Sequence, residues 1–210
     1  MSSESAPGYT VRDLGFEPMP VTWERMQRFT AARTDQDPDE VWFVEHPPVF
    51  TLGLAADASH VLDPGDIEVV QTDRGGQVTY HGPGQLVCYV LLSLRRRGLD
   101  IRSLVEALEL AVIDTVAELG IEAYPRRDAP GVYVDGKKLA AIGLRVSRGY
   151  SYHGLAFNIA MDLSPYARIN PCGFADLEVT QLSDLCAIQS IAEVRPRFER
   201  ALQRRLVSQR

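Results

Sequence analysis

Residues 131–160 read GVYVDGKKLAAIGLRVSRGYSYHGLAFNIA. Three runs rich in β-branched and aromatic residues, 131–134, 138–146 and 150–160, are punctuated by Asp135-Gly136 and Arg148-Gly149. An Asp-Gly pair supplies the positive φ angles that a two-residue hairpin needs. This stretch therefore predicts an antiparallel meander. Upstream, residues 101–119 place Leu104, Leu108, Ala111, Val112, Thr115 and Leu119 on one helical stripe, with Gly120 ready to close the helix. Residues 86–94 form an apolar run of the kind buried on both sides of a central strand.

Further outward, residues 22–33 predict a helix with Thr22 as N-cap, and Val41 to Glu45 a buried strand ended by Pro47-Pro48. Residues 49–52 and 67–71 read as shorter strands. Residues 161–175 form a loop rich in Pro, Asn and Gly, and the tail from 188 to about 207 predicts an amphipathic helix that Pro196 interrupts near its start. Strands and helices without regular βαβ alternation predict an α/β fold of α+β character. It is a single domain over 1–210, with a mixed sheet flanked by helices.

The 210 residues are 45 % hydrophobic and 24 % charged, with a net charge of −6. These values exclude a disordered chain, a collagen-like repeat and a disulfide scaffold. The acidic balance argues against generic nucleic-acid binding. Residues 1–8 lack the features of a secretory signal and read as a flexible leader, and no run is long enough to span a bilayer. The expected location is cytoplasmic. The arginines 95–97, 126–127, 145 and 148 read either as a solvated surface or as a docking patch for an acidic partner.

Three cysteines cannot all pair within one chain. Cys88, within an apolar strand, and Cys186 read as packing residues, whereas Cys172 lies between Pro171 and Gly173 in a polar loop. A thiol held accessible beside a cation is a useful nucleophile. No metal is expected, because the cysteines and His46, His60, His81 and His153 show no ligand spacing. The glycine-rich segment 74–84 matches neither a Walker loop nor a dinucleotide fingerprint. It reads equally as a hairpin or as backbone brought close to a ligand. Small residues at 140, 141, 143, 154 and 156 leave room above the sheet for an apolar ligand, or allow a tight helix–sheet contact. Strict alternation puts Lys138 on the face of Ile142, opposite Ala141 and Gly143, so a bulge is needed if the lysine and that floor act together.

Taken together, EHPPVFT at 45–51, RGGQVTYHGPGQLV at 74–87, DAPGVYV at 128–134, KKLAAIGLRV at 137–146, YHGLAFNI at 152–159 and INPCGF at 169–174 resemble the lipoyl(octanoyl) transferases. The resemblance implies a fold related to the lipoate-protein and biotin-protein ligases, and a Cys/Lys acyltransferase. It places the nucleophile on Cys172 and the catalytic lysine on Lys138. The implied substrate-binding residues are Arg74, Gly75, Gly76, Gln77, Val78, Thr79, Tyr80, His81, Ala141, Ile142, Gly143, Gly154, Leu155 and Ala156, with His153 in support. The implied donor is octanoyl-acyl carrier protein, through its phosphopantetheine thioester. The implied acceptors are lipoyl domains of 2-oxoacid dehydrogenases and the glycine-cleavage H protein, with no ATP or metal required.

Overall fold

A computed structural model describes residues 8–171 and 177–206 of the chain. Most of the expected leader and Cys172 lie outside the described residues.

The meander forms as the turn residues dictate. Strands β8 (Gly131–Val134), β9 (Lys137–Ser147) and β10 (Tyr150–Asn158) follow one another antiparallel. Asp135 and Gly136 adopt φ of 48° and 84°, and Arg148 and Gly149 adopt 52° and 84°. The sheet continues through β6 (Gln85–Leu91) and β2 (Glu40–Glu45), giving seven strands in the order β1-β2-β6-β10-β9-β8-β7. The edges are β1 (Thr10–Phe16) and the short β7 (Tyr124–Pro125). Within this sheet, among the described residues, only β1 runs parallel to its neighbour, because helix α1 (Met19–Ala32) carries the chain back before β2 begins. A second sheet, β4-β3-β5, is built from Glu68–Gln71, Val49–Leu52 and Thr79–His81.

Two layers cover the large sheet. On one face α3 (Ile101–Ala117) and α4 (Ile191–Leu206) bury Leu104, Leu108, Val112, Phe198 and Leu202 against Phe43, Cys88, Leu155 and Phe157. The α3 N-terminus is fixed by a reciprocal capping box between Asp100 and Ser103. On the other face α1 packs Met26 against Trp42, Val87, Tyr89 and Ala156.

Several expectations are corrected. Helix α1 begins at Met19, with Pro20 in its first turn, where a missing N–H is harmless. Thr22 is therefore not the N-cap; its hydroxyl donates to Glu17 Oε2 at 2.6 Å. Pro196 lies inside α4 and does not end it. The edge strand β1 went unread because nearly all of its residues are exposed, so no core-facing alternation marks it. Arg96 and Arg97, on a short helix α2 (Leu94–Arg97), join Arg33 on buried Asp39 at 2.6–2.8 Å, while Arg95 is exposed and pairs with Asp35. Arg148 donates to the carbonyls of Thr30 and Ala31, and Arg126 pairs with Asp128.

Candidate active site

A groove opens where the second sheet and α1 part above β6, β10 and β9. Its lining includes Arg74, Gly76, Gln77, Val78, Thr79, His81, Lys138, Ala141, Ile142, Gly143, His153, Gly154, Leu155 and Ala156. Met19, Val87, Tyr89 and Pro171 complete it. Gly75 and Tyr80 do not line it. The Gly75 N–H is bound to Leu144 O at 2.9 Å, tying the glycine-rich segment to β9, and Tyr80 packs on Phe50 and Tyr166. Val87 and Tyr89 were missed because a strand buried on both faces gives no sign of which face is hollow. Their alternation opposite Ala156 and Gly154 was the available signal.

The bulge that the alternation argument demanded is present. Val132 pairs with Ala140 but Tyr133 pairs with Lys138, so Leu139 is an extra residue on β9. Leu139 and Ala140 consequently both enter the helix-covered core, and Lys138 comes into phase with Ala141 and Gly143. Gly131 lies opposite this bulge with φ 141°, and a Cβ there would meet Ala140 O at 2.3 Å. Lys138 is 3 % exposed. Its Nζ donates to Pro130 O at 3.3 Å and lies 5.2 Å from the centre of the Tyr133 ring. Its backbone is clamped by the chain beyond the loop, with Lys138 N to Glu178 O at 2.8 Å and Thr180 N to Lys138 O at 3.0 Å. Pro171, which also lines the groove, immediately precedes Cys172 in the sequence.

A chain of buried polar groups supports the groove from behind. Gln85 Nε2 donates to Asn158 Oδ1 at 2.9 Å and to Tyr80 O at 3.2 Å. Its Oε1 therefore faces His81 Nδ1 at 2.7 Å, and that nitrogen carries the proton. Asn158 Nδ2 continues to Thr180 O at 3.0 Å, which reaches the residue paired with Lys138. On the other side Arg74 donates to Thr51 O at 2.6 Å and to Thr51 Oγ1 at 2.9 Å. Burial, reinforced by nearby His46 and Arg74, pushes the His81 pKa down to about 3, and burial pushes His46 to about 4. Both imidazoles are neutral in neutral solution.

His153 departs from strand geometry. Its φ is 60°, and its ring stacks on that of Tyr152, 5.1 Å away, although adjacent strand residues ordinarily face opposite sides. Such a conformation costs roughly 1–3 kcal/mol. Its Nε2 bonds Asp73 Oδ1 at 2.8 Å, while the buried Nδ1 has no partner among the described residues. Asp73 also accepts from Trp23 Nε1, Gln27 Nε2 and the Tyr152 hydroxyl. Partial burial opposes its ionisation, but the donors prevail and hold its pKa well below the usual carboxylate range. A single carboxylate in a turn gave no sequence signal for this role. Gly154 next to it allows a close approach, since a Cβ would meet Cys88 O at 2.0 Å.

The groove is thus apolar along its floor and polar at its ends, a shape suited to a short hydrocarbon chain attached to a reacting group. Among the described residues no helix is long and apolar enough to cross a membrane. The lipoyl protein ligase A/B catalytic domain model matches residues 19–203. An octanoyltransferase of Pseudomonas entomophila is 56 % identical over 196 residues, covering 93 % of this chain and 91 % of the relative. An octanoyltransferase of Escherichia coli O139:H28 is 56 % identical over 188 residues, covering 90 % and 88 %. In structure, a lipoate-protein ligase A bound with ATP is similar with a TM-score of 0.80 at 19 % identity, covering 94 % of this chain and 85 % of that one. A biotin protein ligase from Aquifex aeolicus is similar with a TM-score of 0.55 at 13 % identity, covering 94 % and 69 %. The chain belongs to the lipoyl protein ligase A/B catalytic domain family, and within it is an acyltransferase of the octanoyltransferase group.

Proposed function

We propose that this chain moves an octanoyl group from the phosphopantetheine thioester of acyl carrier protein to a lysine of a lipoyl domain, through a thioester on Cys172. The acceptors are the lipoyl domains of 2-oxoacid dehydrogenases and the glycine-cleavage H protein. The observation that carries the reading is the bulge at Leu139, which brings Lys138 onto the same groove wall as Ala141 and Gly143, in a groove that Pro171 also lines. The ammonium of Lys138 favours the Cys172 thiolate. That thiolate attacks the donor carbonyl, the new C–S bond forms, the old C–S bond breaks, and the carrier thiolate leaves with a proton from the Lys138 ammonium, which becomes the neutral amine. The neutral acceptor amine then attacks the acyl-enzyme. The C–N bond forms, Cys172 leaves as thiolate, and the amine's proton passes to Lys138. Of the remaining residues expected from the sequence, Arg74, Gly76, Gln77, Val78, Thr79, His81 and those at 141–143 and 154–156 bind the chain, with His153 in support, while Gly75 and Tyr80 hold the glycine-rich segment in place behind it.

The donor is already a thioester, so the reaction needs neither ATP nor a metal. This separates it from the ATP-bound ligase of similar fold. Intact-protein mass spectrometry after mixing with octanoyl-carrier protein tests the reading. The expected result is one hydroxylamine-sensitive adduct on Cys172, formed without ATP and discharged by a lipoyl domain. A Cys172→Ala protein that still transfers, or a strict requirement for ATP, overturns it.

A further inference from the structure

We propose that Asp73, with the side chains it holds together, forms the end wall of the groove and sets the longest acyl chain this transferase accepts. The inference rests on the octanoyl-transfer reading and adds a residue that determines its specificity.

The wall stands where an octanoyl chain runs out. From Lys138 to Gly143, with Leu139 absorbed in the bulge, β9 advances roughly 13 Å at about 3.3 Å per residue. Seven C–C bonds of about 1.5 Å, in zigzag, span roughly 9 Å. A chain whose carbonyl lies near Lys138 therefore ends about 4 Å short of Gly143, roughly one van der Waals contact from it and its partner Gly154, next to His153. There the Asp73 carboxylate joins three parts of the molecule. Its Oδ1 accepts from His153 Nε2 and from Trp23 Nε1, each at 2.8 Å. Its Oδ2 accepts from the Tyr152 hydroxyl and from Gln27 Nε2. The turn after β4, helix α1 and strand β10 are thereby pinned at one point.

Beyond that point lies a second hollow, lined by Gln27, Thr30, Ser147, Arg148 and Tyr152. His153 lines the groove, whereas Tyr152 and Gln27 line the hollow. The Asp73 carboxylate thus bonds one group that lines the groove, His153, and two that line the hollow, Tyr152 and Gln27. A longer chain can advance only by opening this partition, which leaves a half-buried carboxylate and its donors unpaired. Opening the partition would join the hollow to the groove. Each further methylene then gains burial worth about 0.8 kcal/mol, where before it met the wall.

The test compares hexanoyl-, octanoyl-, decanoyl- and dodecanoyl-carrier protein as donors to a lipoyl domain, for the wild type and for Trp23→Leu and Tyr152→Leu. Wild type is expected to fall steeply in kcat/KM beyond octanoyl. In each variant the dodecanoyl-to-octanoyl ratio is expected to rise by about tenfold or more. A wild type that uses dodecanoyl as well as octanoyl overturns the wall, even if neither variant folds. So does a variant that melts cooperatively and turns over octanoyl with the wild-type ratio. A wild type that transfers no acyl group from any carrier donor overturns the octanoyl-transfer reading instead, and the two failures are thereby told apart.

Discussion

On the face of the large sheet covered by α3 and α4, Phe43 and Phe157 each meet Phe198 with ring centres 6.2 Å apart, within a continuous apolar core. On the opposite face the same strands present Lys138, a half-exposed stretch at 141–143, and His153 in a left-handed conformation. The first face obeys period and packing. The second departs from them at the bulge, at the positive φ and at the buried imidazoles, and each departure turns a group toward the groove. The strands are shared, so what distinguishes the faces is how each uses its stability. The packed face supplies it, and the groove face consumes part of it to hold Lys138 and His153 at the groove.

Substitutions on the two faces therefore separate. Lys138→Met is expected to lower transfer by about 10²–10⁴-fold, measured as kcat/KM for octanoyl-carrier protein at equal folded protein. Equal rates would remove the lysine from the chemistry and make the groove face a packing surface like the other. Phe198→Ala is expected to lower unfolding free energy by about 3–5 kcal/mol in urea titrations, with turnover per folded molecule near that of wild type. Loss of turnover without loss of stability would show that the two faces are not independent.

The buried imidazoles give the groove face a pH signature. Their folded pKa values, about 3 for His81 and about 4 for His46, lie below the ordinary 6.5. The unfolded chain therefore binds more protons in that window, and stability falls as pH drops from 6.5. Each histidine contributes a slope approaching about 1.4 kcal/mol per pH unit. His81→Gln is expected to flatten the slope by one such contribution, and an unchanged slope would contradict the neutral buried state. A smaller effect is expected from Ala156→Leu, which adds bulk to the groove floor. It is expected to shift donor preference toward hexanoyl, at about 0.8 kcal/mol for each methylene that loses its place. Equal preference would show that the chain lies elsewhere.

The contrast also explains what could be read from the sequence. The meander was legible because Asp135-Gly136 and Arg148-Gly149 each adopt the paired positive φ angles that their turns require. The α3 stripe was legible because burial follows its period. The candidate lining was legible as segments, and most of those segments meet in one groove. What alternation could state was only a condition, that Lys138 needs a bulge, since an inserted residue leaves no mark of its own in composition. Asp73 was invisible for a different reason. Its role depends on Trp23, Gln27, Tyr152 and His153 converging from two distant elements. Thr22 was misread because a threonine ahead of a helical pattern resembles an N-cap, whereas Pro20 had already entered the first turn.

The pairing of Lys138 with the thiol is tested most directly by the pH dependence of Cys172 alkylation, followed by peptide mass spectrometry in the wild type and in Lys138→Ala. The expected result is a thiol pKa below the ordinary 8.5 or so in the wild type and a clear upward shift in the variant. Superimposable profiles would contradict it.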